Sequence, residues 1–173
     1  MKKYLLLLCL FCFSVEGMAQ KINRQYSFYP QETGSLYFIH PQTGFSSKDP
    51  GTVKGLIYDI TYLSERDSAT FAFTYYTQSV LKVDSVFILD AMGQEVYKTP
   101  ANVLYVQPKS SYWQQRVNYP VPYEILTTLY EASSPYQLVL SGDRQIRYTL
   151  KPGVWKKQSA VVTKIFEVVK YNK

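Results

Sequence analysis

The sequence predicts a mainly β protein: a single antiparallel, β-sandwich-like domain with a short helix at about 122–132 and an amphipathic helix at about 155–170. Tyrosine is abundant, with 17 in 173 residues, and tyrosine and β-branched side chains favour sheet. From about residue 25 to 151, short β-rich runs are separated by turn-forming residues at the spacing typical of antiparallel sheet proteins. Two later stretches instead place their apolar residues at helical spacing.

The chain opens with the pattern of a secretory signal peptide. Two lysines precede an apolar run over residues 4–13, and the small residues Gly17 and Ala19 follow. That order is typical of a signal that is cleaved, here after Ala19. The apolar run is about half as long as the roughly 20 residues that a membrane span needs. We therefore expect residues 1–19 to be removed and residues 20–173 to form one domain without a transmembrane segment.

Both cysteines of the chain, Cys9 and Cys12, lie inside this signal. Their C-x-x-C spacing occurs in redox and metal sites, but cleavage would remove both residues. We therefore expect a cysteine-free mature chain with neither a disulfide nor thiol chemistry. The expected location is outside the cytoplasm, in the periplasm rather than the extracellular medium.

Five hairpins are predicted in chain order. They pair YSFY with LYFIH across QETG, LIYDITYLS with ATFAFTYYT across ERDS, VDSVFILD with QEVYKT across AMG, NVLYV with YWQQRVNY across QPKSS, and YQLVLS with RQIRYTL across Gly142 and Asp143. In the second hairpin, Phe71, Phe73 and Tyr75 share the strand face that we predict to be core. In the third, Gly93 can take the positive φ of a short connection.

The third hairpin, VDSVFILDAMGQEVYKT, resembles the strand, turn and strand of many exported sandwich modules. These include carboxy-terminal secretion-sorting domains with a D-x-x-G-x-x-V turn. The resemblance covers this hairpin alone and implies a hairpin rather than a family. Between the first two hairpins, HPQTGFSSKDPGTVKG is rich in turn formers and is predicted to be an exposed loop.

The two helices are predicted from apolar spacing. Pro122 suits the first turn of the shorter helix, whose glutamates, Glu124 and Glu131, should face solvent. Its apolar side comprises Tyr123, Ile125, Leu126, Leu129 and Tyr130. In the last segment a strand would place Lys164 and Glu167 among apolar residues, at a cost of several kcal/mol unless each is paired. The spacing therefore favours a helix, and a long edge strand is the competing prediction.

Charge is concentrated at the end of the chain. Residues 144–173 carry eight basic side chains and one acidic, whereas residues 20–143 carry nine basic and eleven acidic. A basic face of this kind can attract lipid headgroups, an acidic polysaccharide or an acidic protein. A solvated helix face that keeps the protein soluble is the competing interpretation. The candidate residues are Lys156, Lys157, Lys164 and Lys170.

Aromatic rings offer a second candidate surface, since rings with one polar edge suit wet interfaces such as a sugar or peptide platform. The rings considered are Tyr62, Tyr75, Tyr76, Tyr105, Tyr112, Trp113, Tyr119 and Trp155. Core packing accounts for most of them. Tyr76 and Trp113 are the two that we expect to be exposed, because each is taken to oppose the more apolar face of its strand.

Catalytic chemistry has few candidates. The one histidine, His40, is interpreted as a strand-end residue, and we expect no metal site and no cofactor. Neither a G-x-S-x-G elbow nor a phosphate-binding glycine loop occurs. A glycosidase needs only two carboxylates, and six acids lie in or near the hairpins. These acids are Asp59, Glu65, Asp67, Asp84, Asp90 and Glu95. Of these we interpret Glu65 and Asp67 as a solvated turn and Asp84, Asp90 and Glu95 as strand ends.

Together these features favour an exported, soluble, non-enzymatic binding or assembly module of the envelope. Its expected partner is a protein or an anionic envelope polymer. Nucleic acid is not expected, because no DNA- or RNA-reading motif occurs. Two alternatives stay open: a periplasmic immunity or inhibitor protein against a secreted toxin, and a carboxylate-based glycan hydrolase.

Overall fold

The computed structural model describes residues 24–171, so the predicted signal and its cysteines lie outside the described residues. Within that range the chain forms ten strands and two helices. Their bounds are β1 Tyr26–Pro30, β2 Ser35–Phe45, β3 Thr52–Leu63, β4 Ser68–Thr77, β5 Val83–Leu89, β6 Glu95–Pro100, β7 Asn102–Lys109, β8 Tyr112–Pro122, α1 Tyr123–Glu131, β9 Gln137–Gly142, β10 Gln145–Thr149 and α2 Pro152–Tyr171. The predicted mainly β fold is confirmed.

The strands form two antiparallel sheets. One has six strands in the order β1-β2-β3-β4-β8-β7, and the other has four in the order β10-β9-β5-β6. All five predicted hairpins are present as paired neighbours. Because β6 and β7 are nearly consecutive but belong to different sheets, the chain crosses from one sheet to the other at Ala101.

The core lies between the two sheets and beneath the helices. Phe71, Phe73 and Tyr75 of β4 are buried as predicted, each at most 1% exposed. They join one apolar cluster with Val86 and Ile88 of β5 and with residues of both helices. Aromatic side chains remove much apolar area from water when buried, which explains how a tyrosine-rich chain fills this core.

Several buried tyrosines satisfy their hydroxyls within the core. Tyr130 Oη lies 3.1 Å from Tyr58 Oη and 3.2 Å from Tyr136 Oη. Tyr58 Oη in turn donates to Gln158 Oε1 of α2 at 3.1 Å. Since a buried polar group costs free energy unless it is hydrogen-bonded, this chain of hydroxyls joins β3, α1 and α2 with its polar groups paired.

Both predicted helices are confirmed. α1 buries Leu126, Leu129 and Tyr130 and leaves its two glutamates exposed. α2 begins at Pro152, a few residues before the predicted start, because proline suits a first helical turn. Its buried residues are Trp155, Val162, Ile165, Phe166 and Val169. The competing edge strand is therefore excluded, and no helix within residues 24–171 is both long and apolar enough to cross a bilayer.

The predicted loop over residues 40–55 is largely wrong. β2 continues to Phe45 and β3 begins at Thr52, so only residues 46–51 lie between the strands. Pro41 and Gly44 are accommodated at two register shifts in the β2–β3 pairing, and bulges are where sheets tolerate such residues. His40 consequently lies within β2 rather than at a strand end.

Candidate functional site

The four lysines predicted as a binding surface lie together on α2. Lys156, Lys157, Lys164 and Lys170 are all exposed and are called the basic strip here. With 100° per residue and a rise of 1.5 Å, they span an arc of about 140° and a length of about 21 Å. Glu167 lies within the same arc, so the net charge of this helix face is about +3 at neutral pH.

None of these lysines forms a salt bridge with a described residue. The two salt bridges within residues 24–171 join Lys82 to Asp84 and Arg116 to Asp59. Glu167 is three residues from both Lys164 and Lys170 but lies beyond 4.0 Å from their ammonium groups. The positive charge of the basic strip is therefore available to a ligand.

A shallow groove of about 710 Å³ runs beside the basic strip between α1 and α2. Lys156 and Lys164 line it. Beside this groove, Trp155 Nε1 donates a hydrogen bond to the Ala132 carbonyl at 3.2 Å and Thr163 Oγ1 donates one to the Tyr130 carbonyl at 3.3 Å. Since the apolar arc of α2 is buried against the core, the helix presents the basic strip outwards.

A second surface lies on the outer face of the six-stranded sheet. It is called the polar patch here and comprises Lys54, Tyr76, Tyr105, Tyr112, Gln114 and Arg116. The register places Lys54, Tyr76, Gln114 and Gln107 in one row across four strands. Adjacent strands lie about 4.8 Å apart, so this row is roughly 14 Å wide.

Lys54 is fixed at one end of the polar patch. Its Nζ donates a hydrogen bond to Tyr112 Oη at 2.8 Å and lies 4.7 Å from the Tyr112 ring centroid and 5.3 Å from that of Tyr76. The hydrogen bond to Tyr112 raises the pKa of Lys54 above its usual value. The two rings meet edge to face, with centroids 5.8 Å apart, so Lys54 stays charged beside an aromatic corner.

Arg116 lies at the centre of the polar patch, where two neighbours hold its guanidinium. Nη2 donates to Asp59 Oδ2 at 2.6 Å and Nη1 to Thr74 Oγ1 at 3.0 Å. Ala72 pairs with Asp59, and Thr74 pairs with Arg116, so the small Ala72 side chain leaves room for the diagonal contact across β4. The Asp59 side chain is 6% exposed and that of Arg116 25%.

Side-chain amides extend the polar patch towards β7. Gln114 Nε2 donates to Tyr105 Oη at 2.9 Å, and Gln107 Nε2 donates to Gln114 Oε1 at 3.2 Å. Nearby, Asn102 Nδ2 donates to Asn118 Oδ1 at 3.0 Å. An amide both donates and accepts hydrogen bonds, so this end of the face suits a ligand that does the same.

The aromatic candidates divide between the two faces of the sheet. Tyr62, Tyr75 and Tyr119 are buried in the core, as is Trp155 of α2. Tyr76 is half-buried within the polar patch. Trp113 is also half-buried, but alternation places it on the same side as the buried Val117 and Tyr119 rather than opposite them. Tyr76, Trp113 and the basic strip therefore do not form one surface.

Sequence reasoning missed Lys54, Gln114 and Arg116. The alternation of YWQQRVNY already places Tyr112, Gln114 and Arg116 on one strand face. Alternation does not identify the partner strands, however. Lys54 and Asp59 join this face only because β3 pairs with β4 and β4 pairs with β8.

The candidate carboxylates occupy separate places. Asp59 lies within β3 and is paired with Arg116. Asp90 Oδ1 accepts hydrogen bonds from the backbone N–H groups of Met92 and Gln94 at 2.8 and 2.9 Å, which stabilises the turn before β6. Asp84 lies 3.5 Å from Lys82 at the surface. Glu65, Asp67 and Glu95 are exposed.

The one histidine is engaged in local contacts. His40 Nε2 lies 2.8 Å from Ser27 Oγ, and Nδ1 lies 3.0 Å from the Arg24 carbonyl. These contacts attach the β1 segment to β2. Within residues 24–171 no group of three or more histidine, cysteine, aspartate or glutamate side chains is placed to hold a metal ion.

The two surfaces differ in chemistry. The basic strip carries uncompensated charge on a helix. The polar patch combines a lysine that has no salt bridge among residues 24–171 with a neutralised guanidinium, amides and rings. Comparison of the chain with known proteins found no matching family model, curated protein or solved structure.

Proposed function

We propose that this protein is a non-enzymatic binding module of the cell envelope that holds an anionic polymer through the basic strip. The observation that carries the proposal is that Lys156, Lys157, Lys164 and Lys170 are exposed on one arc and that none lies within 4.0 Å of a carboxylate among residues 24–171. The envelope location rests on the signal pattern of residues 1–19, which are outside the described structure.

The burial of α2 supports a polymer rather than insertion into a bilayer. An interfacial helix binds membranes by sinking its apolar face into the lipid. Here that face includes Trp155 and Ile165, which are 2% and 0% exposed within the core. Binding through α2 is therefore electrostatic, and it should weaken with salt, since the Debye length falls from about 10 Å at 0.1 M to about 3 Å at 1 M.

The proposal is tested with mature protein, residues 20–173, and two polyanions that contain no sugar, polyglutamate and polyphosphate. The variant K156E/K157E/K164E/K170E should lose measurable binding to the polymers that the wild type holds at low salt. The matched control is K48E/K82E/K98E/K109E, which changes the net charge equally at exposed lysines elsewhere. It should retain most of the affinity.

Two results would overturn the proposal. Equal losses in both quadruple variants would show that only net charge matters and not the basic strip. Binding by the wild type that does not change between 0.05 and 1 M salt would show that charge does not drive it.

A further inference from the structure

The polar patch has features that the basic strip lacks, beginning with a preorganised guanidinium. Asp59 and Thr74 are each 5% exposed, and both accept hydrogen bonds from Arg116. A guanidinium has five N–H donors, so donors remain for a ligand while the group is held in place. Side chains fixed by buried neighbours are typical of binding sites, because they lose little conformational entropy when the ligand arrives.

The distribution of charge indicates what the polar patch could bind. Asp59 cancels the charge of Arg116 at 2.6 Å. Lys54 is exposed, and no carboxylate of residues 24–171 forms a salt bridge with it. A complementary ligand therefore carries one negative group near Lys54 and uncharged polar groups near Arg116.

The remaining contacts favour hydroxyl groups over phosphates or sulfates. Gln114 and Gln107 offer both donors and acceptors, and hydroxyl groups can use both. A phosphate or sulfate would use the donors only. The rings of Tyr76, Tyr105 and Tyr112 are half-buried and add apolar surface with polar edges. Hydroxyls, an apolar ring face and an occasional carboxylate are the features of an acidic sugar.

The dimensions suit several linked sugar units rather than one. Lys54 and Arg116 lie two strands apart and in neighbouring rows. With a strand spacing of about 4.8 Å and about 3.4 Å per residue, their Cα atoms are roughly 12 Å apart. One carboxylate bound at Lys54 would leave neighbouring units to reach Arg116, Gln114 and Tyr105.

We infer that the polar patch is a binding site for an acidic oligosaccharide, with a uronate carboxylate on Lys54 and sugar hydroxyls on Arg116 and Gln114. The site is separate from the basic strip, which binds by charge alone. Each surface can therefore fail its test without the other.

The test uses mature protein and isothermal titration with three probes: a galacturonate hexamer, a neutral galactose hexamer and a hexaglutamate peptide. The wild type should bind the galacturonate hexamer at least tenfold more tightly than the neutral hexamer, and the quadruple basic-strip variant should bind it at least tenfold more tightly than hexaglutamate. Lys54→Gln should remove the preference for the acidic over the neutral sugar. Gln114→Ala should weaken binding of both sugars several-fold.

Matched controls lie on the other sheet. Lys98→Gln and Gln145→Ala change exposed residues of β6 and β10 and should leave all three affinities unchanged. The quadruple basic-strip variant should keep the sugar preference while it loses binding of polyglutamate and polyphosphate. Thermal unfolding verifies that each variant is folded.

The inference is overturned if no sugar binds, if the quadruple basic-strip variant binds hexaglutamate as tightly as the galacturonate hexamer, or if Lys98→Gln has the same effect as Lys54→Gln. Loss of the sugar preference in the quadruple variant would also overturn it, because the binding would then belong to α2.

Discussion

Asp59 Oδ2 lies 2.6 Å from Arg116 Nη2, and the Asp59 side chain is 6% exposed although it stands on the outer face of a sheet. The pair joins β3 to β8 across the intervening β4. A buried carboxylate needs its partner, because the desolvation of an unpaired charge is costly.

Asp59→Asn should therefore destabilise the fold. Removing one partner of a fully buried pair costs about 3–5 kcal/mol, and we expect about 2 kcal/mol here because water can still reach part of Arg116. Urea denaturation measures the loss. Asp84→Asn is the control: its partner Lys82 is 3.5 Å away, the two side chains are 61% and 72% exposed, and surface pairs contribute less than about 1 kcal/mol. Equal effects of the two substitutions would contradict the importance of the buried pair.

Single charges on α2 should change polyanion binding in opposite directions. Lys164→Gln should weaken binding roughly twofold to fivefold, because one surface charge contributes up to about 1 kcal/mol. Glu167→Gln should strengthen binding by a similar factor, since it removes the one acid within the arc of the basic strip. Titration at low salt measures both, with Lys48→Gln as the control. A Glu167→Gln protein that binds more weakly would contradict this model of the strip.

Stability should fall at alkaline pH through the tyrosines. Burial raises the pKa of Tyr123 from 10.0 to about 12 and raises that of Tyr58, Tyr119, Tyr130 and Tyr136 further. Because the folded state favours the neutral phenol, this stabilisation is complete below pH 10 and is lost as the pH rises through the folded pKa.

The urea midpoint should therefore decrease between pH 10 and pH 12, and phenolate absorbance should appear at higher pH in the folded protein than in the unfolded chain. Tyr123→Phe should make the decrease between pH 10 and 12 shallower. Tyr29→Phe, which removes one hydroxyl from a residue that is 53% exposed, is the matched control. A midpoint that does not vary from pH 9 to pH 12 would contradict the prediction.

The two tryptophans should differ in fluorescence. Trp155 is 2% exposed and donates to the Ala132 carbonyl, whereas Trp113 is half-buried. Trp113→Phe retains only the buried Trp155, whose emission should lie at shorter wavelength and be quenched weakly by iodide. Trp155→Phe retains only Trp113, whose emission should lie at longer wavelength and be quenched more strongly. Trp155→Phe should also cost about 2 kcal/mol, from lost packing and one lost hydrogen bond. Equal quenching in the two variants would contradict the placement of Trp155 in the core.

The hairpins and helices could be predicted from the sequence because turn residues, strand alternation and helical spacing are properties of short segments. The turn ERDS and the alternation of Phe71, Phe73 and Tyr75 specify one hairpin without reference to the rest of the chain. The segment around Pro41 and Gly44 was predicted wrongly because a bulge depends on the partner strand, and β3 pairs with both sides of each irregularity. Turn formers alone do not reveal that pairing.

The two candidate surfaces also differ in whether the sequence alone could predict them. The basic strip follows from residues on one helix and was predicted from spacing. The polar patch was not, because Asp59 and Arg116 are 57 residues apart in sequence and meet only through the register of β3, β4 and β8. Alternation assigns a residue to a strand face, but it does not specify which strands are neighbours.

The helix α2 both packs against the core and carries the basic strip. α2 buries Trp155, Ile165 and Phe166, so its exposed lysines hold their positions only while the whole domain is folded. A polymer that recognises their spacing must therefore favour the native state over the unfolded chain, by about 2.7 kcal/mol when its concentration is 100 times its Kd. The melting temperature of the protein would then depend on the local polymer concentration. It would be higher where the polymer is concentrated and lower where the polymer is absent.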